Sequence, residues 1–202
     1  MTTTLPVPGR RALAKARQRD AIVHAAMVLF RRQGFEATTI EQVAETAGVS
    51  RRTVFRYFAT KDALVFPHAE ARIARFEELL EPLVGETALE AVRRTCREVG
   101  LDFQRSRDEL VLQAELIASS PVLVAAEQAL DRRWEAALAA ALAGKRPSAV
   151  EARRARLRAG AIMGSFRAAL REWFATACQA DLLALGADAL DLIAAPTPGR
   201  SS

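Results

Sequence analysis

Apolar residues in this chain recur every three or four positions. Nowhere do Val, Ile, Thr or Tyr alternate with polar residues over the length of a strand. That spacing puts apolar side chains on one face of an α-helix, whereas a half-buried strand needs a period of two. The reading is an all-α fold of about nine helices. Half of the 202 residues are apolar and 26% are charged, a composition that suits a folded, water-facing chain. No uncharged apolar run reaches the roughly 18 residues of a membrane span. The basic N-terminus leads into no apolar run with a cleavage site, so no secretory leader is expected. Cys96 and Cys178 are too few for a disulfide framework or a cysteine-based zinc site, and free thiols in the cytoplasm are the expectation.

Start and stop signals place the helices. Residues 11–33 carry Ile22, Ala25, Ala26, Leu29 and Phe30 on one stripe, with Arg31 and Arg32 in the last turn, where cations complement the helix dipole. Gly34 fits a left-handed stop, after which Phe35 folds back. Thr38 with Glu41 has capping-box spacing and opens a short helix that Gly48 ends. Another runs from Ser50 to Phe58. Thr60, with Asp62 in its first turn, opens a longer helix to about Leu80, interrupted near Pro67. Leu89, Val92, Cys96, Val99 and Phe103 form a seam over residues 87–105. Ser106 with Glu109 opens a helix to about Ala118, and Ser120-Pro121 opens one to about Ala143 that carries Leu123, Leu130, Trp134 and Leu138. Ser148 with Glu151 caps a long helix to about Ala177, and a last helix spans about 180–194. Residues 1–10 and 196–202, rich in Thr, Pro, Gly and Ser, read as a disordered arm and tail.

Charge is uneven. Residues 1–60 hold ten basic and four acidic residues, a net +6, while residues 61–202 carry a net −1, so the chain's whole positive excess resides in the first part. Such a segment is either a polyanion-binding module or a solvated basic face. Residues 38–61 favour the former. Two short helices flank a tight turn, with Ala44 small enough for a close crossing, Gly48 supplying the turn, and Val43, Val49 and Val54 filling the wedge. These are the parts of a helix-turn-helix. Arg51, Arg52, Phe55 and Arg56 then point outward from the second helix, the element that enters the major groove in this motif. Arginine binds guanine O6 and N7 in bidentate fashion.

The segments Gly34–Ala44, Ala47-Gly48-Val49-Ser50, Val54-Phe55-Arg56-Tyr57-Phe58 and Lys61-Asp62-Ala63-Leu64 resemble the TetR family of bacterial transcription regulators over about residues 15–66. The resemblance implies a three-helix DNA-binding domain (residues 11–60) and a C-terminal helical ligand-binding and dimerisation domain (residues 61–195). It implies a homodimeric repressor in the bacterial cytoplasm, nucleoid-associated when on its inverted-repeat operator, and released by a small-molecule effector. By the same resemblance Arg51, Arg52, Phe55 and Arg56 meet bases, while Thr39, Thr53, Tyr57 and Lys61 meet phosphates, which position without specifying sequence. Many members carry a tyrosine where this chain has Phe55-Arg56, so no relative's operator sequence transfers.

Two further sites are expected. Ala161, Gly164, Ser165, Ala168 and Ala169 make a small-residue stripe on the long helix, and Leu182, Gly186, Ala189, Leu190 and Ile193 an apolar seam on the last one. Together they would build a four-helix dimer interface. An effector pocket is expected among Phe103, Leu112, Leu116, Trp134, Leu138, Met163, Phe166, Leu170 and Trp173. The C-terminal half resembles a TetR subgroup with acyl-CoA-like ligands, through Leu116-Ile117, Ser120–Leu123 and Arg171-Glu172-Trp173, which implies an apolar or acyl-type effector. Arg105, Arg107, Arg167 and Arg171 would be the counter-charges of an anionic one. His68 either senses a ligand or satisfies a backbone group, and His24 is structural or exposed.

No cofactor or metal is expected. The two histidines are 44 positions apart, no nucleophile elbow is present, and Gly144-Lys145 lacks the preceding glycine of a phosphate loop, so an enzyme is not expected. A helical enzyme and a non-specific nucleic-acid binder are the remote alternatives. An activator or co-regulator of the same fold is the near one. Replacing Arg51 with Ala is expected to relax base preference, and replacing Lys61 with Ala to weaken binding to all DNA alike. A binding-site selection on both variants separates the two effects.

Overall fold

The computed structural model describes residues 9–194. These fold into α1 (Arg10–Ala37), α2 (Ile40–Thr46), α3 (Arg51–Tyr57), a 3-10 turn (Asp62–Leu64), α4 (Ala69–Leu80), α5 (Ala88–Arg105), α6 (Arg107–Ser119), α7 (Pro121–Ala143), α8 (Ala149–Ala175) and α9 (Leu182–Ala194). No strand occurs among the described residues, as the apolar spacing requires. Of the expected arm and tail, residues 1–8 and 196–202 lie outside the description, and Arg10 already begins α1.

The chain forms two compact units. One holds the residues up to Pro67 together with Leu112–Val124, and the other holds His68–Val111 and the residues from Ala125 on. The expected boundary at residue 60 therefore moves to 67, and the ends of α6 and α7 nearest the Ser120 turn join the N-terminal unit.

In the N-terminal unit, Ile22, Ala26, Leu29 and Phe30 of α1 are buried against Val43, Ala44 and Val54. Gly34 breaks α1 with φ 81° and ψ 166°. This is not the left-handed helical stop expected but the extended positive-φ region, which is open essentially to glycine alone. The break returns Phe35 to the core, its ring 5.5 Å from that of Phe30. The cap of α2 is Thr39 with Gln42, one residue later than expected. Thr38 is buried and its hydroxyl donates to the Gly34 carbonyl at 2.8 Å, so it is not free to cap. After α2, the Val49 N–H reaches the Ala44 carbonyl and the Gly48 N–H that of Glu45, with Gly48 at φ 66°. This is a Schellman turn. Leu112, Leu116 and Leu123 complete the core, and the buried Gln113 amide donates to the Val65 carbonyl at 2.7 Å.

The expected helix from Thr60 to Leu80 is two elements, the 3-10 turn and α4, with Pro67 between them. Proline has no N–H to continue a helix and disfavours helical geometry in the residue before it.

In the second unit, α5 packs against α4 and α9, and α9 also packs against α8. Phe76, Val92, Leu138, Ala159, Ile162 and Met163 form one core, and Leu110, Trp173 and Leu182 another. Thr87–Glu90 and Ser148–Glu151 are complete capping boxes. Leu89, expected in the α5 seam, is exposed: it lies in the first turn, off the end of the covered face. Gly100 marks the closest approach, because a Cβ there would lie 2.8 Å from a Leu183 methyl.

Substituting Gly34 with Ala should lower stability by about 1–3 kcal/mol, through backbone strain alone, since nothing lies within 4 Å of the new Cβ. Gly48→Ala should lower it less, by about 1 kcal/mol, because its φ is one that alanine reaches with modest strain. Denaturant midpoints at unchanged slope report both.

Candidate functional site

The second helix of the pair, α3, is fixed at its N-terminal end. Ser50 caps it, its hydroxyl accepting from the Thr53 N–H at 3.1 Å, and the Schellman turn sets its direction from α2. Val43 and Val54 are fully buried in the wedge and Val49 partly so. That leaves Arg51, Arg52, Phe55 and Arg56 exposed, as the spacing requires of an α3 whose Val54 faces inward.

Two of these outward arginines are held by neighbours. Arg51 Nη1 lies 2.8 Å from Glu41 Oε1 on α2, and its guanidinium carbon lies 5.5 Å from the Phe55 ring centre. Arg56 Nη2 donates to Gln18 Oε1 on α1 at 2.9 Å and lies over the Tyr57 ring. Glu41 and Gln18 were not singled out from sequence. Phe55 is 41% exposed, a large apolar ring on an otherwise basic face.

The four phosphate candidates differ in freedom. Thr39 is exposed, but its hydroxyl caps α2 by accepting from the Gln42 N–H at 3.2 Å. The Thr53 hydroxyl lies 2.9 Å from that of Ser50. The Tyr57 hydroxyl donates to Gln18 at 3.0 Å. The Lys61 ammonium donates to the carbonyls of Phe35 at 2.9 Å, Thr38 at 3.1 Å and Glu36 at 3.4 Å, and lies over the Phe35 ring. Three carbonyls match all three of its donors. In this structure Lys61 closes the end of α1.

The second unit contains a cavity of about 450 Å³. Its lining combines the apolar Phe76, Leu79, Val99, Phe103 and Trp134 with the charged Arg72, Arg75, Arg105, Glu98, Asp102 and Glu109, and with His68. Phe76 and Trp134 meet edge to face at 4.7 Å. Arg72, half-buried, bonds Asp102 at 3.2 Å and Glu109 at 3.5 Å beneath Phe103. His68 Nε2 lies 3.7 Å from Glu109.

Of the nine residues expected to line a pocket, Phe103 and Trp134 line this one. Leu112 and Leu116 are instead buried in the N-terminal unit, because that face of α6 belongs to its core. Leu138 and Met163 fill one core of the second unit, and Leu170 and Trp173 the other. The Phe166 ring lies 5.9 Å from that of Phe103. Among the expected counter-charges, Arg105 lines the cavity. Arg107 donates to the Ala177 carbonyl, Arg167 pairs with Asp131 at 3.2 Å, and Arg171 is exposed. Arg72, the most enclosed cation of the cavity wall, was not singled out from sequence.

The expected dimer residues also divide. Leu182 and Leu190 are buried in the unit's own cores and Ile193 packs against one, because α9 lies on both α5 and α8. Gly164, Ser165 and Gly186 are partly covered, while Ala161 and Ala168 are exposed. Leu157 on α8 is 69% exposed and Leu192 on α9 is 82% exposed, and neither was singled out from sequence.

Burial pushes the Cys96 thiol up to about 11, with Arg93 opposing weakly. Cys96 is therefore a protonated core thiol at neutral pH. Its alkylation at pH 8 should be slow in the folded chain and fast in denaturant; equal rates would contradict this burial. For Lys61→Ala the structure adds a stability effect to the expected weakening of DNA binding. Loss of three charge-assisted hydrogen bonds should lower stability by about 1–3 kcal/mol, seen as a fall in Tm without DNA.

With this geometry in place, comparison with known proteins is specific. The family model for bacterial regulatory proteins of the tetR family matches residues 22–66, and the model for the MftR C-terminal domain matches residues 86–198, more than half of the chain. The transcriptional regulator TcmR of Streptomyces glaucescens is 39% identical over 93 residues, covering 46% of this chain and 41% of TcmR. RutR of Escherichia coli K12 is 33% identical over 124 residues, 57% of this chain and 56% of RutR. The chain thus spans about half the length of the curated relatives it matches. Thermus thermophilus FadR, a TetR family repressor solved with lauroyl-CoA, is 27% identical with a TM-score of 0.57, covering 90% of this chain and 99% of FadR. The all-helical fold, the helix-turn-helix and the two matched segments place this chain in the TetR family of bacterial regulatory proteins.

Proposed function

We propose that this protein is a sequence-specific DNA-binding transcriptional repressor that works as a homodimer in the bacterial cytoplasm. The observation that carries the reading is the exposed row Arg51, Arg52, Phe55 and Arg56 on a helix whose opposite face is buried. The arginines offer bidentate donors to guanine and Phe55 an apolar contact to a thymine methyl. Thr39, Thr53 and Tyr57 supply hydroxyls for phosphates. Lys61 supports them by holding the end of α1.

The dimer face is the row of exposed Leu157, Ala161 and Ala168 with partly covered Gly164 on α8, spaced four, three and four, which is one side of a helix. Exposed Leu192 of α9 extends it. The small residues permit close helix approach and the leucines supply burial. The effector site is the cavity of the second unit, with an apolar or acyl-type body against Phe76, Phe103 and Trp134 and a polar head at Arg72. FadR bound to lauroyl-CoA supports an acyl-type effector by analogy. Release from DNA follows if the effector binds better to a dimer conformation whose recognition helices are wrongly spaced.

The test is a genome-fragment binding selection with the purified chain at about 150 mM salt. An inverted repeat with half-sites about one DNA turn apart, roughly 34–36 Å or a multiple, is expected. Weak binding with no enriched site and a steep salt slope would leave only the non-specific electrostatic attraction. Leu157→Glu should shift sedimentation from dimer to monomer and weaken operator binding by more than about tenfold, since a buried unpaired charge costs a dimer interface several kcal/mol. An unchanged dimer would move the interface elsewhere.

A further inference from the structure

Gln18 stands outside the helix-turn-helix, four residues before the fully buried Ile22 of α1. Its side-chain oxygen accepts from two groups of the recognition helix, Arg56 Nη2 at 2.9 Å and the Tyr57 hydroxyl at 3.0 Å. The Arg56 guanidinium carbon lies 5.1 Å from the Tyr57 ring centre, so the three side chains close into one cluster. The neighbouring residue fixes the backbone beneath it. Arg19 donates to the Pro67 carbonyl and lies 5.2 Å from the Phe58 ring, which ties this turn of α1 to the segment after α3.

One oxygen thereby orders a side chain expected to meet a base and one expected to meet a phosphate. An amide oxygen has two lone pairs, and both are used. An arginine held by one N–H keeps others of its fork for a guanine edge, and ordering before contact removes a conformational cost of binding. We propose that Gln18 is a positioning residue that sets base preference through Arg56, although it belongs to neither helix of the motif. This inference rests on the reading of α3 as the base-reading helix.

The test is a binding-site selection on the full chain with wild type, Gln18→Ala, Gln18→Glu, Arg56→Ala and the double variant Gln18→Ala/Arg56→Ala. Gln18→Ala is expected to lose preference at the same operator positions as Arg56→Ala, by about fivefold, the discrimination carried by about 1 kcal/mol of an arginine–guanine contact. The double variant should lose no further preference than Arg56→Ala, because the two act as one unit. Gln18→Glu keeps the acceptor and should keep the wild-type preference, at lower affinity for all DNA because it adds a negative charge near phosphates. Tm values confirm that each variant folds. If Gln18→Ala lowers affinity uniformly and leaves base preference intact, or if the losses add in the double variant, the positioning role is overturned. If Gln18→Ala does not fold, Gln18→Glu decides: changed preference with the acceptor retained overturns the proposal, and retained preference supports it. A wild-type chain that enriches no site instead overturns the base-reading assignment of α3, and Gln18's role with it.

Discussion

The ammonium of Lys61 reaches three carbonyls at the end of α1, those of Phe35, Glu36 and Thr38, and much of the N-terminal unit depends on the turn it closes. Gly34 breaks α1 just before those carbonyls, in a backbone region that side chains disfavour. A broken helix end leaves acceptors to be satisfied, and buried ones are costly when unpaired. Lys61, from the turn after α3, satisfies them and so joins the residues that enter the helix-turn-helix to those that leave it. Glu36 serves the same region from its other side, accepting from the buried Ser120 hydroxyl at 2.6 Å.

This arrangement explains how two short helices present a recognition face. α2 and α3 have seven residues each, too few to be stable alone. Their order comes from full burial of Val43 and Val54, from the Schellman turn between them, and from hydroxyl caps on Thr39 and Ser50. Apolar burial faces inward and leaves the outward side chains to contacts with one another and with polar neighbours. There Arg51 leans on Glu41 and Arg56 on Gln18. Exposed pairs of this kind add little stability, so their consequence is the orientation of the arginines.

Much of this was legible in the sequence, for identifiable reasons. Helix number and type follow from apolar spacing, and Ser50, Ser148–Glu151 and the first-turn Pro121 carry their own chemistry. The wedge of valines was legible because the motif fixes its spacing. Thr38 and Thr39 were not separable, since adjacent threonines differ only in burial, which the fold decides. The apolar seam of α9 and the middle-helix aromatics show the same limit. Periodicity says which face is covered, not what covers it, so Leu182 and Leu190 went to an internal core and Leu112 and Leu116 to the other unit. Arg72 with Asp102 and Gln18 with Tyr57 pair residues 30 and 39 positions apart, beyond the reach of any local pattern.

The central claim is that α3 presents arginines to base edges in the major groove. Methylation interference at guanine N7 tests it most directly, because that atom is the acceptor an arginine fork engages. On an operator bound by the wild-type chain, methylated guanines in both half-sites should block binding, and the block should vanish at matched positions when Arg51 or Arg56 is removed. Interference confined to the minor groove, or indifference to guanine methylation throughout, would contradict the account.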